Sequence, residues 1–109
     1  MKVWQDTSWE KRIGKLQGNS LRVLWHLVHI ATWENQVTGP SETAISMGLK
    51  QPNISRAYAE LRKADLLYQA GGSYRLNPYF CWKGGNEQYE IACKQLFSIG
   101  AQAKELALK

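Results

Sequence analysis

A chain of 109 residues is the size of one domain and long enough to bury a core without disulfide or metal staples. Hydrophobic residues make up 44%, and no run approaches the roughly 20 apolar residues needed to span a bilayer, so no membrane partner is expected. The net charge of +5 predicts attraction to polyanions, while Cys81 and Cys93, without CxxC spacing and far from His26 and His29, speak against a disulfide framework or a zinc site.

The opening MKVWQDTSWEKR lacks the apolar run of a secretion signal, which predicts a cytoplasmic protein with reduced thiols. Lys2 to Gln5 reads as a short strand. Ser8 to Ile13 carries a capping residue and reads as a helical turn, with Trp9 and Ile13 on one face. Lys11, Arg12 and Lys15 form a basic cluster, read as a solubilising patch with nucleic-acid backbone contact as the alternative. Asn19-Ser20 starts a long helix expected to end near Asn35. It is apolar nearly all round, which predicts a scaffold helix buried on several sides. His26 and His29 are three apart on it, with no acidic or cysteine partner nearby, and read as structural. The five tryptophans, Trp4, Trp9, Trp25, Trp33 and Trp82, read as core and interface filler. Gln36 to Pro40 is a turn-rich connector with room for a short strand.

Ser41 to Leu67 is the most informative stretch. Ser41 is an N-cap type after Gly39-Pro40, with Glu42 in the first turn where a negative charge suits the helix dipole. This short helix is expected to end near Met47, at a left-handed Gly48. Gln51-Pro52 opens a second helix, since proline is tolerated in a first turn. Ile54, Ala57, Tyr58 and Leu61 share its inner face. Gln51, Asn53, Ser55, Arg56, Arg62 and Lys63 lie mostly outward. Gln, Asn, Ser and Arg side chains match base edges in the major groove, and here they cluster at the helix N-terminus. Leu67 to Ala70, Gly71-Gly72 and Ser73 to Asn77 then read as a β-hairpin. A hairpin directly after a helix of this kind is the wing of a winged helix-turn-helix. From Lys50 to Arg75 five basic residues stand against Glu60 and Asp65, a balance of +3.

Asn77-Pro78 ends the hairpin, because proline cannot donate to a ladder. Tyr79-Phe80-Cys81-Trp82 is expected to fold back onto the body or a partner, and Lys83-Gly84-Gly85 to free a tail. Glu87 to Leu108 reads as a terminal helix in which Tyr89, Ala92, Leu96, Ile99, Ala103 and Leu106 step by three and four, a heptad seam. That seam is read as a dimer interface, with packing on the chain's own first helix as the alternative. Gly100 weakens the helix by about 1 kcal/mol relative to alanine.

Thr43 to Tyr74 resembles the core of the MarR-like winged-helix group, in which a helix reading "SRAxxxLrkaxLL" recurs. Tyr74-Arg75-Leu76-Asn77-Pro78 with Trp82-Lys83-Gly84 is similar to the segment after the wing in plasmid RepL-type replication and maintenance proteins. The resemblance covers about residues 3–84. Lys50 stands where that family often has a capping Ser or Thr.

The expected fold is therefore mainly α with a small β-hairpin wing, a winged helix-turn-helix over 1–84 with an added helix over 85–109. The expected function is specific binding of double-stranded DNA as a homodimer. Gln51, Asn53, Ser55 and Arg56 are assigned to bases, and Lys50, Tyr58, Arg62 and Lys63 to phosphates. Ser41, Thr43, Ser73 and Arg75 are assigned supporting contacts, the last two from the wing. The resemblance implies transcription regulation or plasmid replication and maintenance, with host replication proteins as further partners in the latter. No nucleotide loop, paired carboxylates or nucleophile beside a base is visible, so neither enzyme activity nor a cofactor is expected. A winged-helix protein-interaction module without specific DNA reading is the alternative.

Overall fold

The structure, a computed structural model, describes residues 2–3 and 7–108, with side chains for 8–97. Its elements are β1 (Lys2–Val3), α1 (Thr7–Gly14), α2 (Ser20–Ile30), a 3-10 turn (Trp33–Asn35), β2 (Gln36–Val37), α3 (Pro40–Met47), α4 (Gln51–Lys63), β3 (Leu67–Ala70), β4 (Ser73–Leu76), β5 (Cys81–Trp82) and α5 (Asn86–Leu108). Helices and a small antiparallel sheet make this an α+β fold.

The core forms where α2 and α3 pack on α4. Val23, Leu24 and Leu27 of α2 meet Ile54, Ala57 and Leu61 of α4, with Leu66, Leu67, Leu76 and Phe80 closing the cluster. Val23 and Leu24 stand four and three before Leu27, and Ile54, Ala57 and Leu61 step by three and four, so one stripe of each helix is removed from water. α2 corrects one expectation. Only that stripe is buried, and Leu21 and Trp25 remain about half exposed. The helix also ends at Ile30 rather than near Asn35. Its early end has a tertiary cause. The Asn35 amide donates to the Leu76 and Cys81 carbonyls at 3.0 and 2.7 Å, and its oxygen accepts from Lys83 N at 2.9 Å. Reaching those partners requires left-handed backbone at Glu34 and Asn35, which a continuous helix does not allow.

The hairpin follows from its glycines. Gly71 and Gly72 both have positive φ, as a two-residue type I′ turn demands. Register runs from Ala70↔Ser73 to Leu67↔Leu76, and β2 pairs with the far side of β4 as Gln36↔Arg75 and Val37↔Tyr74. The connector's strand is thus present, giving the order β2-β4-β3. Phe80, Cys81 and Trp82 fold back onto the body, and β5 pairs with β1. The tryptophans divide. Trp9 packs on Phe80 and Trp82 on Tyr89, each at 5.6 Å, whereas Trp25 and Trp33 are about half exposed.

α5 begins by docking on its own chain. Ala92 is buried, and Tyr89 sits edge-on to Trp82. Ala92 is therefore covered within the chain, which corrects its assignment to a dimer interface, while Tyr89 is half-buried. Trp82 of β5 packs on Tyr89, and α5 also contacts the 3-10 turn. Leu96 is partly buried, and the side chains of Ile99, Ala103 and Leu106, like Trp4, lie outside the described residues.

Candidate nucleic-acid interface

The pair α3–α4 is set by backbone chemistry at its turn. Gly48 is left-handed and its N–H closes α3. Lys50 is the extended residue before α4, Pro52 stands in the first turn, and no side chain caps the helix. At the start of α3 the capping position belongs to Gly39, with Pro40 first in the helix. Ser41 is thus inside the first turn, a correction of its expected capping role. Its hydroxyl instead accepts from the Gln51 amide at 3.0 Å, joining the N-termini of the two helices on the exposed side.

A closed ring of hydrogen bonds fixes α3, α4 and the connector. The Tyr58 hydroxyl donates to the Thr38 carbonyl and is left to accept from Thr43 Oγ1 at 2.7 Å, which in turn accepts from Thr38 Oγ1 at 2.7 Å. Such chains polarise one another in a low-dielectric interior. The Tyr58 ring also lies edge-on to Tyr74 of β4, with centroids 5.2 Å apart, so the hairpin joins the same junction. Burial raises the Tyr58 phenol pKa above its ordinary value. Thr43 and Tyr58 are 0% and 2% exposed. Their assignment to DNA contacts is therefore corrected: both are sealed inside, where they orient α3 and α4.

The outer face of α4 carries the rest. Gln51, Ser55, Arg56, Arg62 and Lys63 are exposed, as is Lys50, and Asn53 is half-buried. At 100° per residue, Pro52, Ser55 and Ala59 form a narrow line of small side chains opposite the buried stripe, with Arg56 and Lys63 beside it. The only acid on the helix, Glu60, is turned aside. Its carboxylate accepts from Gln17 N at 2.6 Å and Ser20 Oγ at 2.9 Å, capping the start of α2. Capping by a residue forty positions away left no local signal in the sequence. Four cations thus face outward from residues 50–63 while the one negative charge is held against a helix N-terminus.

Arg75 is displaced from its expected role. It lies on β4 with its side chain 20% exposed, 3.9 Å from Glu34 and opposite Tyr68 in the ladder. Those partners hold it at the base of the hairpin, not at the tip. Ser73 is exposed beside the Gly71-Gly72 turn. A second buried asparagine, Asn77, ties the end of the hairpin to the link between α4 and β3: its amide donates to Asp65 O at 2.6 Å and its N–H to Leu66 O at 3.0 Å.

His26 and His29 do not converge on a partner. His29 is exposed, and His26 Nε2 is buried without one. Among the described residues, no three His, Cys, Asp or Glu side chains gather as metal ligands, and no helix is long and apolar enough to cross a membrane. Compared with family models, curated proteins and solved structures, the chain matches none.

Proposed function

We propose that this chain is a winged helix-turn-helix protein that binds a specific duplex DNA site through the outer face of α4. The observation that carries the reading is the division of that helix. Its large apolar residues are consumed by the core, its acid is consumed by α2, and what remains is small side chains and, with Lys50 just before the helix, four cations. A narrow line of small residues flanked by hydrogen-bonding side chains suits insertion into a major groove. Ser55, Arg56, Gln51 and Asn53 are the base readers, with Gln51 also braced by Ser41. Lys50, Arg62 and Lys63 hold phosphates, and Ser73 and the glycine turn approach the backbone from the wing. Phosphate contacts and counterion release supply most of the affinity, and the base readers supply preference. In the cell this corresponds to transcription regulation or to plasmid replication and maintenance.

The protein acts as a homodimer in this reading. Ile91 and Phe97 are 56% and 75% exposed on α5, an apolar surface that a second copy would cover. Two copies would set their α4 helices roughly 34 Å apart, one turn of B-DNA.

Arg56→Ala tests the base-reading role. It should weaken the selected site by about 1–3 kcal/mol and relax preference at one base pair, with a smaller loss on random duplex. Equal losses on both duplexes would remove Arg56 from the base readers.

A further inference from the structure

α1 meets the C-terminal half of α4 across an open cleft lined by Arg12, Lys15, Leu16, Glu60, Lys63 and Asp65. Three cations and two acids share it, but the acids are already engaged. Glu60 accepts two hydrogen bonds at the start of α2. Asp65 pairs with Arg12 at 3.5 Å, and that guanidinium lies 4.7 Å from the centre of the Trp9 ring. Arg12 is thereby used to dock α1 on the end of α4. Lys15 and Lys63 remain, both exposed, on opposite walls, and neither makes an ion pair among the described residues.

With Arg12 and Asp65 paired, Lys15 and Lys63 face a single carboxylate already engaged by two hydrogen bonds, so the cleft carries a net +1 and attracts an anion. Lys63 also continues the basic line of α4. It stands seven residues after Arg56, two helical turns and about 10 Å further along the same stripe. A polyanion that follows this stripe past Lys63 arrives at Lys15.

We propose that Lys15 and Lys63 together grip a backbone phosphate of the duplex, at the flank of the segment that α4 reads. α1 thus extends the interface beyond the helix pair and adds affinity without sequence preference. Arg12 is a positioning residue for this contact. The inference rests on the DNA-binding reading above and adds to it the flanking backbone as a second point of attachment.

The test is duplex affinity at several salt concentrations for the wild type, Lys15→Gln, Lys63→Gln and Lys94→Gln, on the selected site and on random duplex. Lys94 is exposed on α5 outside the cleft and controls for net charge. Each cleft variant should lower the slope of log affinity against log salt by about 0.9, alike on both duplexes, and Lys94→Gln should leave it unchanged. An unchanged slope for Lys15→Gln beside a reduced one for Lys63→Gln would overturn the α1 contact and leave the α4 reading standing. Equal reductions for Lys15→Gln and Lys94→Gln would reduce the effect to net charge and also overturn it. Failure of the wild type to bind duplex would sink both.

Discussion

α4 and α5 are both amphipathic helices, yet the chain treats them differently. α4 hides every one of Ile54, Ala57, Tyr58 and Leu61 to 2% exposure or less, so its spare surface is polar and basic. α5 buries Ala92 near its start but leaves Ile91 and Phe97 in solvent, so its spare surface is apolar. A helix with a satisfied apolar face and uncompensated cations calls for an anion, whereas one with an unsatisfied apolar face calls for another protein surface. In the proposed function, the basic face of α4 meets nucleic acid and the apolar face of α5 meets a second copy.

The largest expected effect lies on the inner face of α4. Leu61→Ala leaves a cavity at 0% exposure and should cost about 2–5 kcal/mol in denaturant unfolding. A loss under about 1 kcal/mol would mean that the core does not close around this helix.

Alkaline pH should come next. Burial pushes the Cys81 thiol from its ordinary 9.0 up to about 12. The folded state therefore keeps the proton that the unfolded chain releases. Stability is complete below pH 9 and falls as pH rises from 9 towards 12. Cys81→Ala should shift the start of that fall to above pH 10, where the buried Tyr58 phenol, also raised by burial, takes over. An unchanged alkaline profile in Cys81→Ala would contradict the burial of this thiol.

Glu60→Ala should cost about 1–3 kcal/mol, because it strands the buried Ser20 hydroxyl at the start of α2 and leaves the exposed Gln17 N–H to water. Stability unchanged by this substitution would show that solvent replaces the carboxylate without penalty. Phe97→Ser should scarcely move stability, by less than about 0.5 kcal/mol, since the ring is 75% exposed. It should nonetheless lower the concentration-dependent mass seen in sedimentation. A wild type that stays monomeric across concentrations would remove the second copy from α5.

Much of the fold is punctuated locally and was legible for that reason. Gly48, the Pro52 first turn and the Gly71-Gly72 hairpin each impose backbone angles on their own neighbours. The short strand at Gln36–Val37 was legible from the connector's composition. What was missed depends on distant partners. Asn35 stops α2 early through Leu76, Cys81 and Lys83. Tyr58 was placed on the inner face yet given a phosphate because it carries a polar tip, and Thr38 and Thr43 satisfy that tip inside the junction. Arg75 carried the charge expected at a wing, and Glu34, fixed by the same turn as Asn35, draws it to the hairpin's base. On α5 the seven-residue period identified a face but not its cover, which for Ala92 is the chain itself. The outward residues of α4 were legible because a 3.6-residue period fixes which side chains face away once the core stripe is known.

The most direct test is selection from a pool of random duplex DNA at two salt concentrations. The account predicts an enriched inverted repeat with half-sites about 10 bp apart, bound more weakly as salt rises. Salt-sensitive background binding with no enriched sequence would contradict specific reading by α4 and shift the weight to a winged-helix module that docks protein.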